Sequence, residues 1–160
     1  MVELEIKYDK NSIIKILKDN KIKVTPNRFK VAFELFNSNE HPSIDQLHQK
    51  LVKSNETQIS FTSVYNIVKL FENAGLVKEI LIENKIHYDS NITPHAHFIC
   101  KNCGKVQDIE LDKLNFIDEK KLISFKTFTE EELKDNKIDS VEITFYGICG
   151  ECLKQENSEA

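Results

Sequence analysis

The sequence predicts an α+β chain in two parts: a helical first half that ends in a two-stranded ribbon, and a smaller α/β second half gathered around four cysteines. Three observations carry this. Apolar residues recur at helical spacing from Ile13 to Phe71. Short apolar runs bounded by turn residues replace that spacing from Leu76 onward. Lastly, the chain has only four cysteines, in the pairs Cys100-Lys101-Asn102-Cys103 and Cys149-Gly150-Glu151-Cys152, with 45 residues between the pairs.

Taken in order, Asp9 can cap a first helix whose Ile13, Ile14 and Leu17 share a face. Thr25-Pro26, a cap followed by proline at the first helical position, opens a second helix carrying Phe29, Val31, Ala32, Leu35 and Phe36. Ser43 caps a third with Ile44, Leu47 and Leu51. Ser60 or Thr62 starts a fourth, which Gly75 ends. In this fourth helix Val64, Ile67, Val68 and Phe71 make the buried stripe, while Ser63, Asn66, Lys69 and Asn73 form a polar outer face. A strand over 76–82, a turn at 83–85 and a return strand over 86–88 complete the order of a winged helix-turn-helix. The polar stretch 90–94 reads as a hinge. Beyond it the pattern predicts strands over 97–100, 105–111 and 141–148, a helix over 114–125, an acidic solvated stretch over 127–140, and a polar, disordered tail over 154–160. The resulting division is a winged-helix DNA-binding domain at 1–89, a hinge at 90–94, a metal-binding domain at 95–153 and the tail.

Composition sets the class. The chain has 160 residues, 40% hydrophobic and 30% charged, with a net charge of −4, as in a soluble globular protein. No apolar run is long enough to span a bilayer and no secretory pattern opens the sequence, so the expected location is the cytoplasm. Charge is uneven: residues 10–85 hold 12 Lys and Arg against 8 Asp and Glu, and residues 86–160 hold 9 against 15. A basic first half and an acidic second half point to different partners.

Two Cys-x-x-Cys pairs in a reducing compartment favour four thiolates around one structural zinc; redox disulfides are the competing reading, without the βαβ context they need. His95 and His97, two apart at the start of a strand, direct their rings the same way. With Asp89 and Asp108 nearby in sequence they suggest a nitrogen and oxygen site for iron(II), manganese(II) or zinc(II); His41 is too distant along the chain for the pattern to join it. His48 and His87 read as ordinary side chains, one covering the core and one within the ribbon. On the fourth helix Tyr65 can meet a thymine methyl, and Ser63 and Asn66 can reach base edges or phosphates. Lys23, Arg28, Lys69 and Lys85 are candidate phosphate partners, each alone no more than a solvated charge.

The stretches Lys23-Val24-Thr25-Pro26-Asn27-Arg28, His41-Pro42-Ser43, Thr62-Ser63-Val64-Tyr65-Asn66, Ala74-Gly75-Leu76-Val77, His95 through Lys105 and Tyr146 through Cys152 together resemble the ferric uptake regulator (Fur) family of metal-dependent bacterial repressors, over roughly residues 10–152. The resemblance implies an N-terminal winged helix-turn-helix followed by a small α/β dimerisation domain with a four-cysteine zinc site, acting as a homodimer on double-stranded operator DNA, with no membrane. It makes Cys100, Cys103, Cys149 and Cys152 the structural zinc ligands, and His41, Asp89, His95, His97 and Asp108 the regulatory site for iron(II) or manganese(II). Asp108, Asn66 and the step from Asp89 to His95 resemble the peroxide-sensing (PerR) branch, in which a ligand histidine gains oxygen; by position the targets are His41 and His95. Iron-responsive or other divalent-metal regulation is the alternative. No histidine follows His97, so a further metal site that some relatives build with one is absent or altered. A metalloenzyme is the distant alternative, since no general base, nucleophile or substrate pocket can be read, and a zinc-stabilised adaptor that binds no DNA is another.

Overall fold

Each of the first four helices starts where a side-chain oxygen can accept a backbone N–H that the helix leaves unpaired. Helix α1 (Lys10–Asp19) follows Asp9, whose carboxylate accepts from the Ser12 N–H at 2.8 Å. Helix α2 (Pro26–Phe36) follows Thr25, which accepts from the Arg28 N–H at 3.3 Å. Before α3 (Ile44–Ser54), Ser43 and Gln46 exchange bonds: the Gln46 N–H donates to the serine hydroxyl at 3.3 Å and the Ser43 N–H to the glutamine Oε1 at 2.9 Å, a capping box. Helix α4 (Phe61–Asn73) is capped by Ser60, which accepts from the Ser63 N–H at 3.1 Å. At its other end Gly75 takes φ +73°, and the Leu76 and Gly75 N–H groups donate back to Phe71 and Glu72. This double closure needs a residue tolerant of positive φ, and glycine has no Cβ to oppose it.

The structure, a computed structural model, describes residues 7–54, 58–114, 136 and 141–159. They part into two compact units between Ile92 and Thr93, within the 90–94 stretch.

In the first unit one apolar core gathers Ile13 and Leu17 of α1, Val31, Leu35 and Phe36 of α2, Leu47 and Leu51 of α3, and Val64, Val68 and Phe71 of α4. The Phe36 and Phe71 rings meet with centroids 5.5 Å apart. Strands β1 (Lys78–Ile82) and β2 (Lys85–Asp89) then pair antiparallel, with Lys78 opposite Asp89 and Ile82 opposite Lys85. The turn is shorter than the pattern predicts: only Glu83 and Asn84 lie between the strands, at φ 48° and 63°, the left-handed pair that matches strand twist in a tight hairpin. Tyr88 on β2 brings the ribbon into the helical core.

In the second unit β3 (His95–Cys100) is the central strand of a three-stranded sheet, antiparallel to β4 (Val106–Glu110) and parallel to β5 (Thr144–Gly147). A 3₁₀ turn, Leu111–Lys113, follows β4. Strand β3 starts two residues earlier than the pattern predicts, so His95 lies inside it. The helix expected over 114–125 and the acidic stretch 127–140 fall outside the described residues, Leu114 and Asn136 apart. One expectation is corrected: of the tail expected to be disordered over 154–160, residues 154–159 continue helix α5 (Gly150–Glu159). Cys149 and Cys152 anchor its first turn, which removes much of the nucleation cost that makes a short isolated helix marginal. Among the described residues no helix is long and apolar enough to cross a membrane.

Phe71 is fully buried, so Phe71→Ala should lower the unfolding free energy by about 3–5 kcal/mol. Urea unfolding followed by circular dichroism measures this, with the midpoint falling and the slope unchanged.

Candidate metal centres and nucleic-acid interface

Parallel pairing of β3 and β5 puts Cys100 directly opposite Gly147, and Cys149 follows two residues later. That pairing brings the two cysteine pairs together across the 45-residue gap, because parallel strands need a long crossover. Four sulfurs, from Cys100, Cys103, Cys149 and Cys152, lie within 4.8 Å of one another. Cys100 Sγ is 3.9 Å from Cys152 Sγ, and Cys103 Sγ is 3.8 Å from Cys149 Sγ. A disulfide needs about 2.05 Å, whereas a tetrahedron with zinc–sulfur bonds of about 2.3 Å has edges of about 3.8 Å. The set therefore fits zinc, and these two close approaches each join one motif to the other. Backbone N–H groups of Cys103 and then Cys149 favour the Cys100 thiolate and bring its thiol down to about 6. Asn102 favours ionisation of Cys152, but Cys149, burial and the other two sulfurs outweigh it and push that thiol up to about 12. Four thiolates this close need a cation to ionise together.

A second donor set in the same unit contains no sulfur. His95 and His97 alternate with Ala96 along β3, so both rings leave the same face. Their Nε2 atoms are 3.0 Å apart, and each lies 3.5 Å from Asp108 Oδ1. Asp108 is there because the β3–β4 register sets it opposite His97. The Nδ1 of His95 sits 2.6 Å from the Thr93 carbonyl; a nitrogen facing a carbonyl carries the proton, which leaves the Nε2 lone pair for a cation. These separations are short enough for all three atoms to reach one divalent ion at bond lengths of about 2.1 Å.

The first unit carries its own imidazole and carboxylate. His41 Nε2 is 3.6 Å from Asp89 Oδ1, with residue exposures of 5% and 2%. Two ties explain why residues so far apart in sequence meet. The Tyr88 N–H donates to the Pro42 carbonyl at 2.9 Å, and His87 Nδ1 lies 2.7 Å from the His41 carbonyl. Together they hold the loop, in which His41 adopts φ 50°, against β2. His87, read from sequence as an ordinary ribbon residue, is thus a support for His41. Its two-residue offset from Asp89, the same spacing as His95 to His97, was the available signal. His48 instead places Nε2 2.9 Å from the Ile59 carbonyl and stacks edgewise on Phe61.

On α4, Tyr65 and Asn66 are exposed and Ser63 is half-buried in the first turn, its hydroxyl 2.8 Å from that of Ser60. The Arg28 guanidinium donates to the Lys23 carbonyl at 3.0 Å, which sets both residues at the start of α2. Lys85 is exposed on β2. Lys69 differs from its sequence reading as a solvent-facing cation. Its ammonium pairs with Glu72 at 2.8 Å and with Glu79 of β1, and it approaches the rings of Tyr65 and Tyr88. The hydrogen bonds it donates to the Glu72 and Glu79 carboxylates hold that ammonium well above the ordinary lysine range.

A winged helix-turn-helix followed by a small α/β unit with a zinc-type site of four cysteines defines a metal-responsive regulator of transcription. The chain belongs to the ferric uptake regulator family, whose model matches residues 19–139. It is similar to the peroxide-responsive repressor PerR of Staphylococcus aureus, 29% identical over 153 residues that cover 94% of this chain and 97% of that protein. It is also similar to the peroxide operon regulator of Bacillus subtilis, 28% identical over 151 residues with 94% and 97% covered. Among solved structures, the Campylobacter jejuni peroxide stress regulator matches with a TM-score of 0.62 at 28% identity, covering 87% of this chain and 98% of that one. The Helicobacter pylori ferric uptake regulator matches with a TM-score of 0.63 at 22% identity, covering 91% and 95%, a likeness of fold.

Because Cys100 and Cys152 are the buried members of the sulfur cluster, Cys100→Ser or Cys152→Ser should reduce bound zinc from one per chain to near zero. Elemental analysis after gel filtration measures this. Cobalt(II) substitution should give thiolate charge-transfer bands in the parent chain and lose them in either variant.

Proposed function

We propose that this chain is a metal-dependent, DNA-binding repressor that works as a homodimer and senses hydrogen peroxide. His41 and Asp89 on one side of residues 90–94, and His95, His97 and Asp108 on the other, hold one regulatory iron(II) or manganese(II). The observation that carries this reading is the donor set: imidazoles and carboxylates only, kept apart from the sulfur cluster, with His95, His97 and Asp108 within reach of one ion. Hard oxygen and nitrogen ligands of this kind suit iron(II) and manganese(II). Peroxide as the signal is supported by the names of the two curated relatives and of the Campylobacter jejuni regulator.

The protein's part is to hold and to yield. Thr93 fixes the His95 ring with its Nε2 lone pair outward, and β2 fixes the His41 loop beside Asp89. Ligands drawn from both sides of the 90–94 segment would restrict the two units to one arrangement. In a dimer this sets the spacing of two α4 helices, the quantity a half-site pair reads. Iron(II), when bound, supplies the one-electron chemistry that activates peroxide. In the net change a ring C–H of His41 or His95 becomes C=O, and hydrogen peroxide is reduced to water. An oxidised ring is a poorer ligand, so the units are released and the DNA with them. Lys23, Arg28, Ser63, Tyr65 and Asn66 are the DNA-contacting residues in this reading. The acts assigned to the chain are binding and release, with no catalytic turnover.

The test is anaerobic loading of the zinc-containing protein with iron(II), addition of equimolar peroxide, and peptide mass spectrometry. A one-oxygen gain on His41 or His95, absent when manganese(II) replaces iron(II), is the expected result. Unmodified histidines would make the metal itself the signal. Oxidation of Cys100 and Cys103 with zinc loss would move sensing to the sulfur cluster.

A further inference from the structure

Lys69 lies on the polar side of α4, where a lysine is ordinarily read as a partner for phosphate. Its surroundings give it another task. The ammonium is bracketed by Glu72, one turn ahead on the same helix at 2.8 Å, and by Glu79 on β1. Glu79 also accepts a hydrogen bond from the Tyr88 hydroxyl at 3.3 Å. Tyr88 stands opposite Glu79 in the ribbon register, so both leave the same face, and that face turns toward the helices. The ammonium lies 5.9 Å from the Tyr65 ring centroid and 5.8 Å from that of Tyr88, within reach of cation–π attraction. Lys69 thus touches α4 through Glu72 and Tyr65, β1 through Glu79 and β2 through Tyr88.

A single exposed ion pair contributes little. Here one cation satisfies two carboxylates and two ring faces, and side-chain exposures near one third shield the group from full solvent screening. The remaining polar residues of that helix face, Ser63, Asn66 and Asn73, make no comparable cross-link to the ribbon among the described interactions. The ribbon also joins α4 through only the short segment from Ala74 to Val77, whose Gly75 sits in a left-handed conformation. Burial of Val77 and Tyr88 seats the ribbon on the helices, and the Lys69 cluster adds a polar tie from α4 to both strands.

We propose that Lys69 is a positioning residue: by tying Glu79 and Tyr88 of the wing to α4, it sets the wing against the helix and orients the Tyr65 ring beside Asn66. The proposal rests on the reading of α4 and the wing as the DNA-binding surface. It removes Lys69 from the phosphate contacts and makes Glu79, an acidic residue, a requirement for DNA affinity. A direct phosphate contact predicts the reverse, since deleting a carboxylate beside the DNA would free a lysine and lower repulsion.

The experiment uses Lys69→Gln, Lys69→Arg and Glu79→Gln in the full zinc-containing chain. Amide hydrogen exchange is read on the free protein. DNA affinity is read by fluorescence anisotropy in manganese(II), over a range of salt, on a duplex selected from a random pool by the parent protein. In the free protein Lys69→Gln and Glu79→Gln should each speed exchange over 78–82 and 85–89, while Lys69→Arg should restore protection. On DNA both neutral variants should bind about tenfold more weakly, the size of an ordinary coupling between contacting residues, with the salt dependence unchanged. Unaltered wing exchange in both neutral variants would overturn the proposal. So would unchanged or tighter DNA binding by Glu79→Gln alongside a salt slope reduced by about one in Lys69→Gln, the mark of a lost phosphate contact. If the parent protein selects no duplex, the DNA reading fails, while the exchange results still decide whether Lys69 fixes the wing.

Discussion

The register between β3 and β5 is the constraint on which the second unit depends. Side chains alternate along β3, so His95 and His97 leave one face and Cys100 the other. The parallel partner sets Cys100 against Gly147, two residues short of Cys149. A slip of one residue would exchange the faces, point the imidazoles toward the sulfurs and separate the two cysteine pairs. Zinc held by the four sulfurs would lock that register, because ligand spacing tolerates only a few tenths of an ångström. The Asp108 position follows in turn from the antiparallel partner on the other side of β3. Structural metal and regulatory donors are therefore linked through one six-residue strand without sharing a ligand.

The first unit solves a different problem, which is to hold a ribbon and a loop against a helical core. Tyr88 serves both ends of this arrangement: its ring enters the core, and its backbone N–H binds the Pro42 carbonyl beside His41. The adjacent His87 supports the loop, and Asp89 sets its carboxylate beside His41. Wing position and His41 geometry are consequently set by the same strand, and this gives the proposed metal ligand His41 mechanical access to the element proposed to lie on DNA. That coupling needs only the three consecutive residues His87, Tyr88 and Asp89.

Much of this is legible in the sequence, and the reasons differ by element. Helices α1 to α4 announce themselves through Asp9, Thr25-Pro26, Ser43 and Ser60, since caps and apolar spacing are local properties. The cysteine cluster is legible because spacing and thiolate chemistry leave few alternatives. Pattern cannot join His41 to Asp89, because the ties between loop and strand, Pro42 to Tyr88 and His41 to His87, each cross 46 residues of chain. Lys69 reads as a solvated cation because its partner Glu79 lies ten residues on, on the strand after the turn. The polar end from 154 reads as disordered on composition, which takes no account of two cysteines fixing the first turn of α5. Tertiary ties decide each of these cases, and a local pattern carries no record of them.

The central claim is that donors from both units serve one ion, and manganese(II) titration of the zinc-containing protein followed by electron paramagnetic resonance tests it most directly. One tightly held manganese per chain is expected in the parent, with loss of that site in both His41→Ala and His97→Ala while zinc content and fold are retained. A His41→Ala chain that binds manganese as the parent does would contradict it, because His95, His97 and Asp108 would then hold the ion alone and the wing would have no part in sensing it.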